Sequence, residues 1–296
     1  MSEWDRKFSD LVLLGGGHSH VQVLRSLARD PVAGLRTTLV SRDVMTPYSG
    51  MLPGFIAGHY RWRDIHIDLA ALAVAAGARL IVGEVKEVDP DNGRVMPAGR
   101  APIRSDRLSI NSGAAPCTEQ IVDADRFGIQ VKPIDRFVPK WQALLERCRN
   151  LDGENFRLAV VGSGAGGVEL ALAIRYRLEV VEKIDTVEIL LISAADRLLL
   201  GHNNGVRERM QRLLSDRRLD VHLSARVTAA RDGALETDVD GTIPVDEVLW
   251  VTQAASPSWA SVAGLTVDEA GFILVTDTLR SVSHPEIFAA GDIATI

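Results

Sequence analysis

Two glycine-rich segments, each placed directly after a short apolar run, constrain the fold of this 296-residue chain more than any other feature. The first spans residues 10–20 (DLVLLGGGHSH) and the second spans residues 157–167 (RLAVVGSGAGG). Each apolar run is typical of a buried parallel strand, and a helical pattern follows each set of glycines. In such a unit the glycines permit a tight turn, and a dinucleotide pyrophosphate lies against the helix N-terminus. Two loops of this kind predict a protein that binds two nucleotides.

The segments after the two loops repeat one order of elements. Each loop is followed by a helix, a strand, a second helical stretch and several short strands, with hairpin turns at residues 91–93 (DNG) and 232–233 (DG). The first half ends in residues 109–116 (SINSGAAP), and the corresponding segment of the second half has Gln253 in place of Gly113. A repeated order of elements is evidence about the whole chain. The short strands are predicted at residues 79–82, 85–88 and 106–110 in the first half and at residues 219–223, 225–228, 242–245 and 248–251 in the second.

Composition and charge narrow the class of protein. The chain has 33 basic and 39 acidic residues, a net charge of −6 and no basic run, so nucleic acid is not an expected partner. Its length suits two domains. It has no apolar stretch of about 18 residues, and its first residues (MSEWDRK) lack the apolar region of a secretory signal. We expect a cytoplasmic protein, with peripheral contact on the inner face of the membrane as the alternative, and no bound metal.

The two cysteines bear on the chemistry. A flavoenzyme that reduces disulfides needs a closely spaced pair of thiols. Cys117 and Cys148 are far apart in the sequence, one in a predicted loop and one on a predicted helix. Buried or inert thiols are therefore expected, and electrons are expected to leave by a route other than a redox-active disulfide.

The order of these motifs resembles the two-dinucleotide flavoprotein family, the pyridine nucleotide-disulfide oxidoreductases. The motifs are the first glycine loop, residues 112–116 (SGAAP), the second loop and residues 287–292 (IFAAGD). Residues 15–21 (GGGHSHV) and 46–54 (TPYSGMLPG) further resemble a subgroup related to type II NADH dehydrogenases and sulfide:quinone reductases. Members of this subgroup also occur as the N-terminal part of fusions with selenide, water dikinase. The resemblance extends from Leu11 to Asp292.

The resemblance implies that FAD occupies the first loop and that NAD(P)H, as co-substrate, occupies the second. Asp292 is then expected to accept a hydrogen bond from a ribityl hydroxyl, although Gly291-Asp292 alone also suits an ordinary turn at a strand end. The residues implied at FAD are Gly15, Gly16, Gly17, His18, Ser41, Arg42, Pro47, Gly113 and Asp292, and those implied at the nicotinamide nucleotide are Gly162, Gly164, Ala165, Gly167 and Ser193.

Three positions depart from the family pattern. His20 stands where a third glycine normally allows the helix to pack closely on the strand. We interpret it as family variation with a slightly displaced helix rather than as a catalytic group. Ser41 and Ser193 end the second strand of each half, where an acidic residue usually holds a ribose; serine can still bind a ribose hydroxyl, more weakly.

Three side chains are candidates for catalytic roles. Glu169 is predicted in the first turn of the second loop's helix, where the dipole alone favours a carboxylate and where the resemblance implies a position facing the nicotinamide–flavin junction. Tyr48 lies in a proline- and glycine-rich loop that either lines the flavin ring or fills the core. Lys132 lies at the predicted crossing between domains, as a hinge or surface charge or as an acid–base group.

These observations predict an α/β chain with two Rossmann-like, three-layer dinucleotide-binding domains, each with a small antiparallel meander. Residues 1–133 and 254–296 would form an FAD domain, and residues 134–253 an NAD(P) domain inserted in it. Helices are predicted at Trp141–Arg149 and Val206–Leu214, the latter with an apolar stripe that suits a core. Resembling enzymes continue into a C-terminal domain that makes membrane or dimer contacts, so the chain is expected to be truncated, with that domain missing.

Two functions are consistent with the sequence. The first is an FAD-dependent oxidoreductase that passes electrons from NAD(P)H through flavin to a quinone or another small acceptor. The second is a catalytically weak nucleotide-binding module or redox partner linked to selenium metabolism. Ser41 and Ser193, which replace the usual acidic residue at the end of the second strand in each half, favour the module. The intact glycines of residues 162–167 and the Gly291-Asp292 pair favour the enzyme.

Overall fold

The computed structural model describes residues 8–239, 241–252 and 254–296, and the chain divides into two compact units. The first unit contains the chain up to Tyr48 together with His66–Ala115 and Ala255–Ile296. The second contains Ser49–Ile65 and Pro116–Ala254. Gln253, the predicted counterpart of Gly113, lies outside the described residues.

The units are built from the following elements. The helices are α1 (His18–Arg29), α2 (Leu52–Ile56), α3 (Leu69–Ala75), α4 (Ile134–Arg149), α5 (Ala165–Tyr176), α6 (Asn204–Asp216) and α7 (Trp259–Val262), with 3₁₀ turns at Ser49–Met51 and Trp62–Ile65 and a π-helical turn at Arg177–Glu182. The strands are β1 (Ser9–Leu14), β2 (Leu35–Ser41), β3 (Met45–Pro47), β4 (His66–Asp68), β5 (Arg79–Val82), β6 (Val85–Asp89), β7 (Arg94–Pro97), β8 (Ile103–Arg104), β9 (Arg107–Ile110), β10 (Ala115–Pro116), β11 (Ile129–Gln130), β12 (Phe156–Val161), β13 (Val187–Ile192), β14 (Asp220–His222), β15 (Val227–Arg231), β16 (Ala234–Thr237), β17 (Gly241–Pro244), β18 (Glu247–Trp250), β19 (Ala254–Ala255), β20 (Ile273–Leu274), β21 (Ile287–Ala289) and β22 (Ala294–Thr295).

The first unit is organised around a parallel sheet in the order β21–β9–β1–β2–β5. Successive side chains of β1 point to opposite faces of this sheet. Val12 and Leu14 join one hydrophobic cluster, while Leu13 packs in another with Leu24 of α1 and Leu69 of α3. Both faces of the sheet are therefore buried, which explains why β1 is an unbroken apolar run.

The second unit repeats this arrangement with a parallel sheet in the order β11–β18–β12–β13–β14. Leu158 and Val160 of β12 pack in one cluster with Leu170 of α5. Ala159 and Val161 face the opposite side and join the cluster that contains the meander of this unit. The central strand of each unit leads directly into its glycine loop, so both loops lie at the carboxyl end of a buried parallel strand.

A three-stranded antiparallel sheet accompanies each parallel sheet. Strands β6, β7 and β8 form the first, and β15, β16 and β17 form the second. The predicted turns are present, with Gly93 and Gly233 at φ values of +57° and +74°, a conformation that favours glycine. The predicted α/β fold with two Rossmann-like units and two meanders is confirmed.

The segment Ser49–Ile65 packs with the second unit, whereas the sequence-based boundaries placed it in the first domain. The reason is the apolar face of α2: Leu52 and Ile56 are buried in the same cluster as Leu170 and Ile174 of α5. Residues 116–133 also belong to the second unit. Short helical segments of this kind carry too little periodicity to reveal which core they join.

Helix α4 begins at Ile134, well before the predicted start at Trp141. The additional turns contain Pro139, and a proline inside a helix removes one backbone hydrogen bond. Burial of Phe137 and Val138 on the same helix stabilises the longer form.

Helix α6 contains the predicted residues 206–214, and its apolar stripe is in the core, with Leu214 buried and Val206 and Met210 packed against the same cluster. Within the described ranges, no helix combines the length and the apolar character that a membrane crossing requires.

Candidate functional site

Three consecutive backbone amides of the first glycine loop point to an anion site. The Gly15 N–H donates to the Val40 carbonyl at 2.8 Å, and the Ser19 N–H donates to Asn111 Oδ1 at 3.2 Å. Between them, the N–H groups of Gly16, Gly17 and His18 have no hydrogen-bond partner in the part of the chain that the structure describes. They lie at the N-terminus of the 12-residue helix α1, where the amides and the helix dipole favour a negative group.

The glycines of this loop are required by close packing within the protein. A Cβ at Gly15 or Gly17 would overlap Asn111, and Gly15 also has a φ of +99°. A Cβ at Gly16 would lie 2.6 Å from Leu69 Cδ1 and 2.9 Å from Ser41 Oγ. The predicted site residues Gly15, Gly16, Gly17 and Ser41 are therefore brought together at the end of β1 and β2.

His20 takes the place of the third glycine and fills it with a hydrogen-bonded ring. The side chain is 1% exposed, with Nδ1 2.7 Å from the Gly15 carbonyl and Nε2 2.9 Å from Ser109 Oγ. Burial lowers the pKa of His20 to about 4, so the ring is neutral near pH 7. A carbonyl oxygen can only accept, so Nδ1 carries the proton and Nε2 accepts from the Ser109 hydroxyl. These contacts give His20 a structural role, in agreement with the interpretation from sequence.

His18 and Tyr48, both candidates from the sequence, are in contact. Their ring centroids are 4.6 Å apart with the planes tilted by 55°. His18 Nε2 is buried and has no hydrogen-bond partner among the described residues, and burial lowers the His18 pKa. Pro47 precedes Tyr48 at the end of β3, and Tyr48 itself is nearly half exposed. An orphaned imidazole nitrogen at the first residue of α1 suits a polar ligand group beside the loop amides.

Asn111 was not identified from the sequence, yet its side chain joins the two ends of this site. Its Oδ1 accepts from the Ser19 N–H, and its Nδ2 donates to the carbonyl of Ala290. A Cβ at Gly291, which has a φ of +76°, would lie 2.6 Å from Asn111 Nδ2. The exposed residue Asp292 follows directly. One indication was available in the sequence: a polar residue follows a strand where the second half has the apolar Val251.

Two further residues predicted at the first site lie beside it with other contacts. Arg42 follows Ser41 at the end of β2, and its Nε is 3.0 Å from the carboxylate of Asp43. Gly113 has a φ of +75° and no atom within 4 Å of a Cβ built on it, so its backbone conformation alone accounts for glycine.

The second glycine loop repeats the geometry of the first, with one informative difference. The Gly162 N–H donates to the Ile192 carbonyl at 2.8 Å, and a Cβ at Gly162 would overlap the Val251 carbonyl. A Cβ at Gly167 would overlap the Gly162 carbonyl. A Cβ at Gly164, by contrast, would meet nothing within 4 Å, and its φ of −69° is open to any residue. No intramolecular contact requires glycine there, so a ligand that approaches the backbone closely is the remaining physical reason.

Other residues of the second loop complete an anion cradle. The N–H groups of Ser163, Gly164 and Ala165 precede the first internal bond of α5 and have no partner across the described ranges. Ser193, at the end of β13, is buried; its Oγ lies 2.7 Å from Ser163 Oγ and accepts from the Ala195 N–H at 3.1 Å. Ser193 thus supports the loop from the neighbouring strand.

Glu169 is not in the first turn of its helix, which corrects the sequence-based placement. Helix α5 begins at Ala165, so Glu169 lies in the second turn and is exposed. The stabilisation of a carboxylate by the helix dipole falls off beyond the first turn. Lys132, the third catalytic candidate, directly precedes the N-cap residue Pro133 of α4 and is only partly exposed.

Both cysteines are free thiols. Cys148 is buried in α4, and burial raises its pKa to about 11, which keeps it protonated and unreactive near neutral pH. Cys117 is partly exposed, and its backbone carbonyl accepts from the Thr252 hydroxyl at 2.8 Å. The burial expected for one of the thiols is confirmed for Cys148.

The residues of both loops therefore fit a bound dinucleotide. Each loop presents at least three unpartnered amides within the described residues, at the N-terminus of a helix that follows a buried parallel strand. The first adds the unpartnered His18 Nε2, and the second adds the open space at Gly164.

Comparison with known proteins gives matches over nearly the whole chain. The family model described as pyridine nucleotide-disulphide oxidoreductase matches residues 9–296. The chain is 24% identical to NADH dehydrogenase-like protein YutJ of Bacillus subtilis, over 97% of this chain and 77% of that protein. It is 25% identical to the alternative NAD(P)H-ubiquinone oxidoreductase C1 of Arabidopsis thaliana, over 99% of this chain and 62% of that protein.

A solved structure shares the fold. The sulfide:quinone oxidoreductase from Aquifex aeolicus superposes with a TM-score of 0.81 at 18% identity, over 97% of this chain and 69% of that one. Neither a selenide dikinase fusion nor the selenium-linked alternative gains support from these comparisons.

Proposed function

This chain belongs to the pyridine nucleotide-disulphide oxidoreductase family, and we propose that it is an FAD-dependent enzyme that transfers two electrons from NAD(P)H to a quinone. The reaction consumes NAD(P)H, one proton and the quinone and yields NAD(P)⁺ and the quinol. The observation that carries the proposal is the pair of amide cradles, each at the N-terminus of a helix after a parallel strand. When bound, FAD supplies the redox chemistry, accepting a hydride from NAD(P)H and delivering electrons to the acceptor.

The quinone as acceptor is supported by the names of the relatives. The Arabidopsis protein is named for ubiquinone and the Aquifex enzyme for a quinone. The state of the cysteines agrees with this reading, because Cys148 is buried with a raised pKa and both thiols are free. A dithiol relay is therefore not part of the proposal.

In the first unit, we assign the FAD pyrophosphate to the N–H groups of Gly16, Gly17 and His18. Asp292 would accept from a ribityl hydroxyl, and Tyr48, in contact with His18, would cover one part of the cofactor. The remaining assigned residues shape the loop or its edge: Gly15, Ser41, Arg42, Pro47 and Gly113.

In the second unit, we assign NAD(P)H to the loop of Gly162, Gly164, Ala165 and Gly167, supported by Ser193. The pyrophosphate would meet the amides that precede the first internal bond of α5. Glu169 and Lys132 are the candidates for positioning the nicotinamide.

We also propose peripheral contact with a membrane, because long-chain quinones reside in the lipid phase and an enzyme that reduces them must reach its surface. Co-sedimentation of the protein with liposomes that contain a quinone tests this point. A protein that reduces a water-soluble short-chain quinone but neither sediments with the liposomes nor reduces their quinone would contradict it.

The experiment that tests the function is anaerobic reduction of FAD-loaded protein. NADH and NADPH are added in separate titrations, the visible flavin absorbance is followed, and a short-chain quinone is then added. We expect bleaching by at least one nucleotide and recovery of the absorbance by the quinone. Bound flavin that neither nucleotide reduces would overturn the proposal and leave a nucleotide-binding module.

A further inference from the structure

The two glycine loops differ in the side chain that follows the strand paired with the central strand, which is β9 beside β1 in the first unit and β18 beside β12 in the second. In the first unit this residue is Asn111, and in the second it is Val251. The backbone carbonyls of both residues exclude a side chain from the first glycine of the loop, because each carbonyl lies where Gly15 or Gly162 would place a Cβ. Only the side chains distinguish the two positions, so the repeat provides an internal comparison of what Asn111 adds.

Asn111 acts as a helix cap supplied by a distant strand. The N-cap residue of α1, Gly17, has no side chain to accept a hydrogen bond, and Asn111 Oδ1 accepts from the Ser19 N–H instead. A side-chain oxygen at the N-cap normally bonds the amide two or three positions later, and Ser19 is two positions after Gly17. This bond limits the free amides of the loop to Gly16, Gly17 and His18.

The Nδ2 group of the Asn111 side chain holds the backbone segment that precedes Asp292. Asn111 Nδ2 donates to the Ala290 carbonyl, while the Ala290 N–H donates to the Ile110 carbonyl at 3.0 Å. Gly291 must be glycine here, because a Cβ would lie 2.6 Å from Asn111 Nδ2. The Asn111 side chain is only 6% exposed, so neither bond is readily replaced by water.

We propose that Asn111 is a positioning residue of the flavin site, which fixes the glycine loop and the Gly291-Asp292 turn as one preformed cradle. The inference rests on the proposed assignment of FAD to the first unit. FAD is long enough to engage both segments, with its pyrophosphate at the loop and its ribityl chain at Asp292. Because the cradle is already ordered, FAD can make both contacts without the entropy cost of ordering the turn on binding. ADP engages the loop alone and gains nothing from this link.

Asn111→Val, which gives the first loop the residue of the second, tests the proposal with FAD and ADP as probes. Dissociation constants are measured by calorimetry on the full chain. We expect FAD binding to weaken about tenfold or more, the loss typical of a buried hydrogen bond. ADP binding should change by less than about threefold. Gln130→Ala, which removes a side-chain amide bond to Thr118 in the second unit, is the matched control and should leave both constants unchanged.

A double-mutant cycle separates positioning from general destabilisation. If Asn111 acts through the Gly291-Asp292 turn, Asn111→Val combined with Asp292→Ala should weaken FAD binding little more than either change alone. Fully additive losses, or equal losses for FAD and ADP, would overturn the proposal. Wild-type protein that fails to bind FAD would instead refute the proposed function, on which this inference rests.

Hydrogen exchange provides a second measurement that needs no cofactor. In Asn111→Ala, used if the valine variant does not fold, the amides of residues 290–293 should exchange faster while those of the second unit stay unchanged. Unchanged exchange in residues 290–293 would show that Asn111 does not hold the turn.

Discussion

His20 and Gly167 occupy the same position in the two glycine loops and meet the same carbonyl in different ways. A Cβ at Gly167 would overlap the Gly162 carbonyl, whereas the His20 ring reaches the equivalent Gly15 carbonyl through Nδ1 at 2.7 Å. In the second loop, the absence of a side chain at Gly167 leaves room for the carbonyl. In the first loop, the neutral imidazole of His20 donates a hydrogen bond to the carbonyl.

The buried neutral ring of His20 predicts acid sensitivity. Its pKa is about 4 in the folded chain, against an ordinary value of 6.5, so only the unfolded chain binds a proton between these values. Its contribution to stability is therefore complete above pH 6.5 and falls by about 1.4 kcal/mol per unit as the pH drops toward 4. Urea unfolding of cofactor-free wild type and His20→Asn, at several pH values in this window, measures the difference. Equal pH slopes for the two proteins would contradict this assignment.

Gly164 offers a change that should separate folding from nucleotide binding. Serine is a favoured N-cap residue, the backbone of Gly164 is in the extended region, and a Cβ there meets no atom within 4 Å. Gly164→Ser should thus keep or slightly raise the melting temperature. It should also weaken NAD(P)H binding about tenfold or more, because the hydroxyl competes for the amides that the pyrophosphate needs.

The matched control is Gly167→Ala. Its Cβ would overlap the Gly162 carbonyl, so it should lower stability by about 1–3 kcal/mol. If Gly164→Ser destabilises the chain as much as Gly167→Ala does, the conclusion that a side chain fits at Gly164 without overlap is wrong.

At the residue scale, the glycines were predictable and Asn111 was not. A glycine loop after an apolar run is a local pattern, visible within a few residues. The partners of Asn111 are Ser19 and Ala290, which are 92 and 179 positions away, and a single sequence does not reveal such contacts. Glu169 was misplaced by one helical turn because α5 already begins at Ala165, before the last glycines of the loop.

Among the elements, the parallel strands were the most predictable because burial on both faces demands continuous apolar runs. The predicted strand at residues 79–82 coincides with β5, and the predicted turns at 91–93 and 232–233 join their hairpins. Helix α4 is longer than predicted, and its early turns contain Pro139, a residue that is unfavourable inside a helix. The unit with which α2 packs is decided by tertiary contacts, and the five residues of that helix are too few to indicate them.

The packing of α2 predicts which unit depends on it. Ile56 is fully buried in the cluster that contains Ile174 of α5. Ile56→Ala should therefore destabilise the second unit by about 2–4 kcal/mol. Hydrogen exchange of α5 would report the loss, and Val74→Ala on the exposed face of α3, where Val74 is 81% exposed, is the control. Faster exchange in α1 instead of α5 would contradict the placement of α2.

On the scale of the whole molecule, two units of one design lie in a single chain. Each has a glycine loop on its central strand, a five-stranded parallel sheet and a three-stranded meander. The order of motifs was sufficient to predict the family and the α/β fold, because glycine loops and strand ends are local features in a fixed sequence. The electron acceptor could not be predicted, since no motif in the chain encodes it; the quinone enters through the relatives.

The assignment of FAD to the first loop and NAD(P)H to the second is tested by anaerobic reduction of two variants, Gly164→Ser and Asp292→Ala, alongside wild type. Bound FAD is quantified after gel filtration, and its bleaching is followed on addition of NADH and then NADPH. We expect Gly164→Ser to retain FAD, with its flavin reduced slowly by both nucleotides at concentrations that reduce wild type. We expect Asp292→Ala to lose FAD while its binding of NAD(P)H is unchanged. The opposite pattern, with FAD lost from Gly164→Ser and NAD(P)H binding lost from Asp292→Ala, would contradict the assignment of the two loops.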